Sequence, residues 1–144
     1  MSRKAIHPMT DRRREVDLVI PMIPDMELTA TKTAEAVCEF AKLDSQKIDE
    51  VKMALIEACI NAFEHSDSED RRVNISFELG DDELIVQISD RGQGFDLSKV
   101  RSELEERHEA GKRGWGLTIM EALMDDVQVQ SGDDGTVITM KKRR

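Results

Sequence analysis

Residues 57–65 read EACINAFEH, and this stretch decides how the rest of the chain is interpreted. It ends a predicted helix over residues 46–65, in which apolar side chains recur at three- and four-residue spacing around most of the circumference. Glu57, Asn61 and His65 follow one another at intervals of four, so they form a polar row along one side of this helix. A carboxylate and a carboxamide on a mostly buried helix are unfavourable unless they are paired or bind a ligand.

The residue types in this row suit a site for a phosphorylated ligand. An amide oxygen such as that of Asn61 is a ligand that Mg²⁺ accepts while it keeps several waters and substrate phosphates. Glu57, one turn earlier, is placed to take a proton from an attacking hydroxyl. The alternative interpretation is a row of polar side chains that merely faces solvent, and the helix alone does not decide between the two.

A first glycine-containing segment, DRGQGF at 90–95, follows the predicted strand ELIVQIS. The carboxylate of Asp90 at the strand end is suited to accept a hydrogen bond from an exocyclic amine such as that of adenine. Gly92 and Gly94 would let the backbone approach a flat ligand closely. An ordinary β-turn has the same residue types, so the segment alone is an incomplete signal.

A second segment, GKRGWG at 111–116, precedes a short apolar helix that begins at Leu117. A glycine-rich loop before a helix gathers unpaired N–H groups and favours phosphate, and Lys112 and Arg113 add positive charge. A linker between two helices is the alternative, and the spacing matches neither a Walker A loop nor a dinucleotide fingerprint. Thr136 begins the last predicted strand, where its hydroxyl is able to reach adenine, although a simple turn explains this residue equally well.

The order of predicted elements indicates an α+β two-layer sandwich, with one mixed, largely antiparallel sheet and helices on one face. Pro21 restricts the first strand to an edge position. Residues 1–15 are expected to be a flexible arm and residues 16–144 a single domain. The predicted strands are 16–24, 72–79, 83–90, 127–131 and 136–142, and the last two flank the turn at 132–135. The predicted helices are 28–43, 46–65, 97–110 and 117–125.

Composition and charge exclude several classes of function. The chain has 144 residues, of which 35% are charged and 39% apolar, and a net charge of −9. This acidic balance argues against a nucleic-acid-binding groove. The basic runs at 12–14 and 141–144 are interpreted as solvated tails. No apolar stretch approaches the roughly 20 residues of a membrane span, and the N-terminus has no apolar core of a signal peptide.

These features predict a cytoplasmic protein without a membrane anchor. Cys38 and Cys59 lie in apolar helical contexts without the CxxC spacing of a zinc or redox site. Both are therefore predicted to be buried, reduced thiols.

In combination, the segments resemble the motifs of the GHKL ATPases, which include DNA gyrase B, sensor histidine kinases and MutL. EACINAFEH is similar to the N-box, DRGQGF and GKRGWGLTIM to the two glycine boxes, and GTVITM to the segment with the terminal threonine. The resemblance runs from about residue 16 to the C-terminus and implies the Bergerat, or histidine-kinase-like ATPase, fold. The compact length and the GWGLTIMEALMD segment look like the small anti-sigma serine protein kinases of the RsbW and SpoIIAB type.

The resemblance implies an ATP·Mg²⁺ site with Glu57 as the general base and Asn61 as the Mg²⁺ ligand. Asp90 would hold the adenine amino group. A helical lid over about 96–113 would become ordered on ATP binding. The residues expected to contact the nucleotide are Asn61, His65, Asp90, Gly92, Gly94, Lys112, Arg113, Gly114, Trp115, Gly116, Leu117 and Thr136.

The resemblance also implies a function, that of an ATP-dependent serine protein kinase acting as an anti-sigma factor or partner-switching regulator. It would phosphorylate a STAS-domain anti-anti-sigma protein, sequester a sigma factor and work as a homodimer. The sigma factor is the less supported partner, because sigma-binding members have basic residues near the first helix. Here that helix has Lys32 as its main cation, beside Glu27 and Glu35.

Other interpretations of the same motifs remain. The chain could be a nucleotide-gated binding module that regulates a signalling partner with little or no kinase activity. It fits the catalytic domain of a histidine kinase poorly, because only about 15 residues precede the first predicted strand and leave no space for a helical dimerisation domain. A fragment of an ATP-driven chaperone or topoisomerase would need a transducer domain, which this chain lacks.

Overall fold

The computed structural model describes residues 14–66, 68–90, 116–132 and 135–144. The arm at 1–13, the predicted helix over 97–110 and the lid lie outside these ranges. Within them the chain forms β1 (Glu15–Pro21), α1 (Glu27–Phe40), α2 (Ser45–His65), β2 (Arg72–Leu79), β3 (Glu83–Ser89), α3 (Gly116–Leu123), β4 (Asp126–Gly132) and β5 (Gly135–Arg143).

The five strands form one sheet in the order β1-β2-β3-β5-β4, and each neighbouring pair is antiparallel. Alternation along the strands separates the two faces of the sheet. Phe77, Val86 and Met140 lie side by side in register on the face that the helices cover, and all three are fully buried. On the opposite face Gln87 donates a hydrogen bond to the Thr139 hydroxyl over 3.2 Å. The predicted α+β fold with helices on one face is confirmed, and β1 lies at the sheet edge as Pro21 predicted.

The last strand corrects one prediction. The last strand was predicted to reach Lys142, whereas residues 141–144 were also interpreted as a solvated basic tail. The strand prediction holds and the tail is wrong, because β5 continues to Arg143. Because side chains alternate along a strand, Lys142 lies on the core face and is only 6% exposed. The N-terminal run also departs from a free tail at Arg14, whose guanidinium lies 3.0 Å from the Asp81 carboxylate.

Local chemistry fixes the two ends of α2. Asp44 is the N-cap residue, and its carboxylate accepts a hydrogen bond of 2.9 Å from the Lys47 backbone N–H. At the other end, Arg71 donates to the carbonyl oxygens of Phe63 and Ser66 over 3.3 and 3.0 Å. These contacts give partners to two carbonyls at the end of the helix, where the last carbonyls have no partner within the helix.

The direction of α2 across the sheet follows from two contacts. Arg71 holds the C-terminal end of α2 at the start of β2, and β2 begins where β3 ends. Lys142 Nζ lies 2.9 Å from Oε1 of Glu50, in the first half of α2, at the end of β5 that pairs with the start of β3. The C-terminal half of α2 therefore lies at the end of the sheet where β3 finishes and β5 begins.

Both cysteines are buried free thiols, as predicted. Burial, with a smaller effect of the Glu39 carboxylate, raises the pKa of Cys38 from 9.0 to about 11. Burial, with a smaller effect of Glu27, raises the pKa of Cys59 from 9.0 to about 12. The fold thus stabilises the protonated thiol at both positions.

We therefore expect native protein near neutral pH to resist alkylation at both cysteines, and unfolded protein to react at both. Since the folded pKa values lie above those of the unfolded chain, this contribution to stability is complete below pH 9.0 and declines as the pH rises towards about 11 to 12. Urea titrations across this range, with mass spectrometry of alkylated protein, measure both effects. Rapid labelling of native protein would contradict the assignment.

Candidate functional site

The structure brings Glu57 and Asn61 of the polar row against the start of α3. Both side chains are half-buried on α2. A methyl group added at Gly116, the first residue of α3, would stand 3.4 Å from Glu57 Oε2 and 3.4 Å from Asn61 Nδ2. Glycine is suited to this position because a side chain longer than a methyl group would enter the space that the two polar groups occupy.

The rest of α3 is fixed by its apolar side chains. Leu117 is 3% exposed and Met120 is fully buried, so α3 is packed into the core beside α2. The first backbone N–H groups of any helix lack partners within the helix and favour negative charge. The start of α3 thus presents donors next to a carboxylate and an amide. Because the Leu117 side chain belongs to the core, its predicted contact with ATP would have to come from its backbone.

A second group of polar residues lies where β3 ends and β5 begins. The Asp90 backbone N–H donates to the Thr136 carbonyl oxygen over 3.1 Å, which extends the β3–β5 pairing by one residue. Asp90 is 7% exposed and Thr136 is 3% exposed. The Thr136 hydroxyl lies 3.3 Å from the Ser131 hydroxyl. A carboxylate and a hydroxyl are therefore held close together on regular backbone.

The two groups lie at the same end of the fold, because the C-terminal half of α2 crosses the sheet at the end that contains Asp90 and Thr136. His65 is the last residue of α2 and is half-buried at this end. Of the predicted nucleotide contacts, the described residues are Asn61, His65, Asp90, Gly116, Leu117 and Thr136. The others, Gly92, Gly94, Lys112, Arg113, Gly114 and Trp115, lie outside the described residues.

Sequence reasoning did not identify Ser131 as a neighbour of Thr136. Ser131 pairs with Thr136 across the β4–β5 ladder. The predicted hairpin turn at 132–135 could have identified this pair, because counting outwards from the turn places Ser131 and Thr136 opposite each other.

The donor set around Asn61 fits Mg²⁺. No cluster of three or more His, Cys, Asp or Glu side chains suited to a metal ion occurs among the described residues. A cation that takes one or two protein oxygens and completes its shell with water and phosphates does not need such a cluster. The Asn61 amide, beside the Glu57 carboxylate and the first turn of α3, offers an oxygen of the required kind.

No helix in the described ranges has the length and apolar character that crossing a membrane requires.

Comparison with known sequences gives a consistent match. Residues 24–142 match the family model of the histidine kinase-like ATPase domain. The serine-protein kinase RsbW of Oceanobacillus iheyensis is 32% identical over 135 residues, covering 88% of this chain and 85% of the relative. The serine-protein kinase RsbW of Bacillus subtilis is 29% identical over 135 residues, covering 88% of this chain and 84% of the relative.

Solved structures with the same fold include the RsbU and RsbW domains of a Mycobacterium tuberculosis protein. The match has a TM-score of 0.68 at 20% identity and covers 90% of this chain but 31% of that one. The SiaB–SiaC complex of Pseudomonas aeruginosa matches with a TM-score of 0.60 at 10% identity, covering 91% of this chain and 90% of the other. At these identities the structural matches concern the fold alone.

Proposed function

The chain belongs to the histidine kinase-like ATPase domain family, in the branch of the RsbW serine-protein kinases, and we propose that it phosphorylates a serine of a partner protein at the expense of ATP. The observation that carries the proposal is the meeting of Glu57 and Asn61 with Gly116, at the end of the sheet that contains Asp90 and Thr136. A carboxylate base, an amide ligand and helix N–H donors are able to supply the positioning and charge stabilisation on which phosphoryl transfer depends.

In the proposed complex, the sheet end binds the adenine and the helices bind the phosphates. The buried Asp90 carboxylate accepts a hydrogen bond from the adenine amino group, and the Thr136 hydroxyl completes this pocket. The first turn of α3 donates N–H groups to the phosphates, with Lys112 and Arg113 of the preceding segment as cations. The Asn61 side-chain oxygen would hold Mg²⁺, and the bound cation would neutralise phosphate charge.

Glu57 is the proposed general base. It takes the proton of the partner's serine hydroxyl while the serine oxygen bonds to the γ-phosphorus. The bond between the γ-phosphorus and the bridging oxygen breaks, and ADP leaves with that oxygen. Apart from accepting this proton, the site acts by positioning the reactants and stabilising charge.

The proposed partner is a STAS-domain anti-anti-sigma protein, and the protein is proposed to act in the cytoplasm as a homodimer. The RsbW relatives, which are serine-protein kinases, support a protein substrate. A sigma factor is a second proposed partner. It has less support, because the exposed Lys32 is the main cation of α1 and lies near the acidic Glu35. Glu35 in turn pairs with Lys52 of α2 over 3.5 Å.

The proposal is tested by incubating the protein with ATP, Mg²⁺ and STAS-domain proteins from the same genome, followed by intact-mass analysis and mapping of the modified residue. We expect one partner to gain a single phosphoryl group on serine. If ATP binds and alters partner affinity but no partner is modified, the protein is instead a nucleotide-gated binding module. Absence of ATP binding would overturn both functions.

A further inference from the structure

Lys142 is a buried lysine that contacts both helices of the proposed site without belonging to it. Its ammonium group lies 2.9 Å from Oε1 of Glu50 on α2 and donates to the carbonyl oxygen of Leu123, the last residue of α3. A buried ammonium needs such partners, because an unpaired charge in the interior is strongly unfavourable. The cation also faces the negative end of the α3 dipole.

Two backbone contacts reinforce this attachment of α3 to β5. The Asp125 N–H donates to the Lys141 carbonyl over 2.9 Å, and the Asp125 carboxylate accepts from the Arg143 N–H over 2.6 Å. An isolated helix of eight residues is unstable in water, so tertiary contacts determine its position. The C-terminal end of α3 is therefore fixed to the last strand and, through Lys142 and Glu50, to α2.

The opposite end of α3 is the one that meets the polar row. On α2, Glu50 precedes Glu57 by seven residues, and on α3, Gly116 precedes Leu123 by seven. Each interval is about 10 Å of helix. The two helices thus lie alongside each other in opposite directions, with the Lys142 contact at one end and the Gly116 contact at the other. A shift of α3 along α2 would displace its first-turn N–H groups from Glu57 and Asn61.

We propose that Lys142 is a positioning residue for the phosphate-binding end of α3, acting through its ion pair with Glu50. This inference rests on the proposed function, since it assigns the phosphates to that end. Lys142 itself touches neither the nucleotide nor the serine. Its loss should weaken contacts with the β- and γ-phosphates and spare the adenine contacts, because Asp90 and Thr136 are held by strand pairing that does not involve α3.

The test compares the dissociation constants of ATP and AMP, each with Mg²⁺, by competition with a fluorescent ATP analogue. Lys142→Met should weaken ATP binding about tenfold, which is the effect of losing one charge-assisted hydrogen bond between the first turn of α3 and a phosphate. The same change should weaken AMP binding by less than about twofold, because AMP has no β- or γ-phosphate. Glu50→Gln removes the charge that pairs with Lys142, so it should also weaken ATP binding more than AMP binding. The double variant should bind no more weakly than Lys142→Met, because the two residues act as one unit.

Lys52→Met is the matched control. It also removes a lysine that pairs with a glutamate, but this more exposed pair joins α2 to α1 through Glu35, whereas the Lys142 pair joins β5 to α2. The control should leave the ratio of ATP to AMP affinity unchanged. Thermal denaturation identifies a temperature at which all variants are folded. If Lys142→Met does not fold, the comparison of ATP and AMP affinities in Glu50→Gln tests the proposal instead. An unchanged affinity ratio in folded variants would overturn the proposal and assign Lys142 a purely structural role. Failure of the wild-type protein to bind ATP would instead overturn the proposed function.

Discussion

Glu57→Ala is expected to lower the rate of phosphoryl transfer by about 10²- to 10⁴-fold, the usual contribution of a general base. ATP affinity should change by less than about threefold, because the proposed role of Glu57 is towards the serine hydroxyl and not the nucleotide. The carboxylate lies against the first residue of α3, one turn before the proposed Mg²⁺ ligand Asn61. Single-turnover transfer and equilibrium ATP binding, measured separately, resolve the two quantities.

Glu64→Ala serves as the control for this prediction. Glu64 is an exposed carboxylate on the same helix, two turns after Glu57. Glu64→Ala changes the net charge of α2 as much as Glu57→Ala does. It should leave the rate of phosphoryl transfer within about twofold of the wild-type rate, because exposed charges have small effects. A Glu57→Ala protein that transfers phosphate at the wild-type rate would exclude Glu57 as the base.

Asp90→Asn should weaken ATP binding by about 10- to 100-fold, because it replaces a charge-assisted hydrogen bond in a buried pocket by a neutral one. The Asp90 side chain is almost inaccessible, and its backbone N–H remains available to bond the Thr136 carbonyl in the variant. The amide should also reduce the preference for ATP over GTP, since guanine presents a carbonyl oxygen where adenine has its amino group. Calorimetric titration with both nucleotides measures the two effects.

Asp82→Asn is the control for the adenine prediction. Asp82 is an exposed carboxylate in the turn before β3, at the opposite end of the strand that leads to Asp90. This variant should bind ATP as the wild type does. Equal ATP affinity in Asp90→Asn and Asp82→Asn would remove Asp90 from the nucleotide site.

Local periodicity was sufficient to predict the elements that position the site. The three- and four-residue spacing of apolar residues in 46–65 matches α2, which starts one residue earlier because Asp44 caps it. The first strand was predicted to continue to residue 24, but it ends at Pro21. There the Ile23 N–H bonds the Pro21 carbonyl and Asp25 adopts a φ of 79°, so the chain turns away from the sheet. Hydrophobic periodicity does not encode such a local turn.

The neighbours within the site could not be derived from local pattern. Asp90 and Thr136 meet because β3 pairs with β5 and not with β4, and Gly116 meets Asn61 because α3 packs beside α2. Only the resemblance between whole motifs predicted that these segments converge. Lys142 was predicted both in the last strand and in a solvated tail, and only the register of β5 shows that its side chain faces the core.

In the proposed complex, one nucleotide bridges Asp90 at the sheet end and Asn61 on α2. A crystal structure of the protein with a non-hydrolysable ATP analogue and Mn²⁺ tests it most directly, because anomalous scattering locates the metal. We expect the adenine amino group at the Asp90 carboxylate, the metal at the Asn61 side-chain oxygen and the phosphates at the start of α3. A nucleotide bound elsewhere, or a metal remote from Asn61, would contradict it.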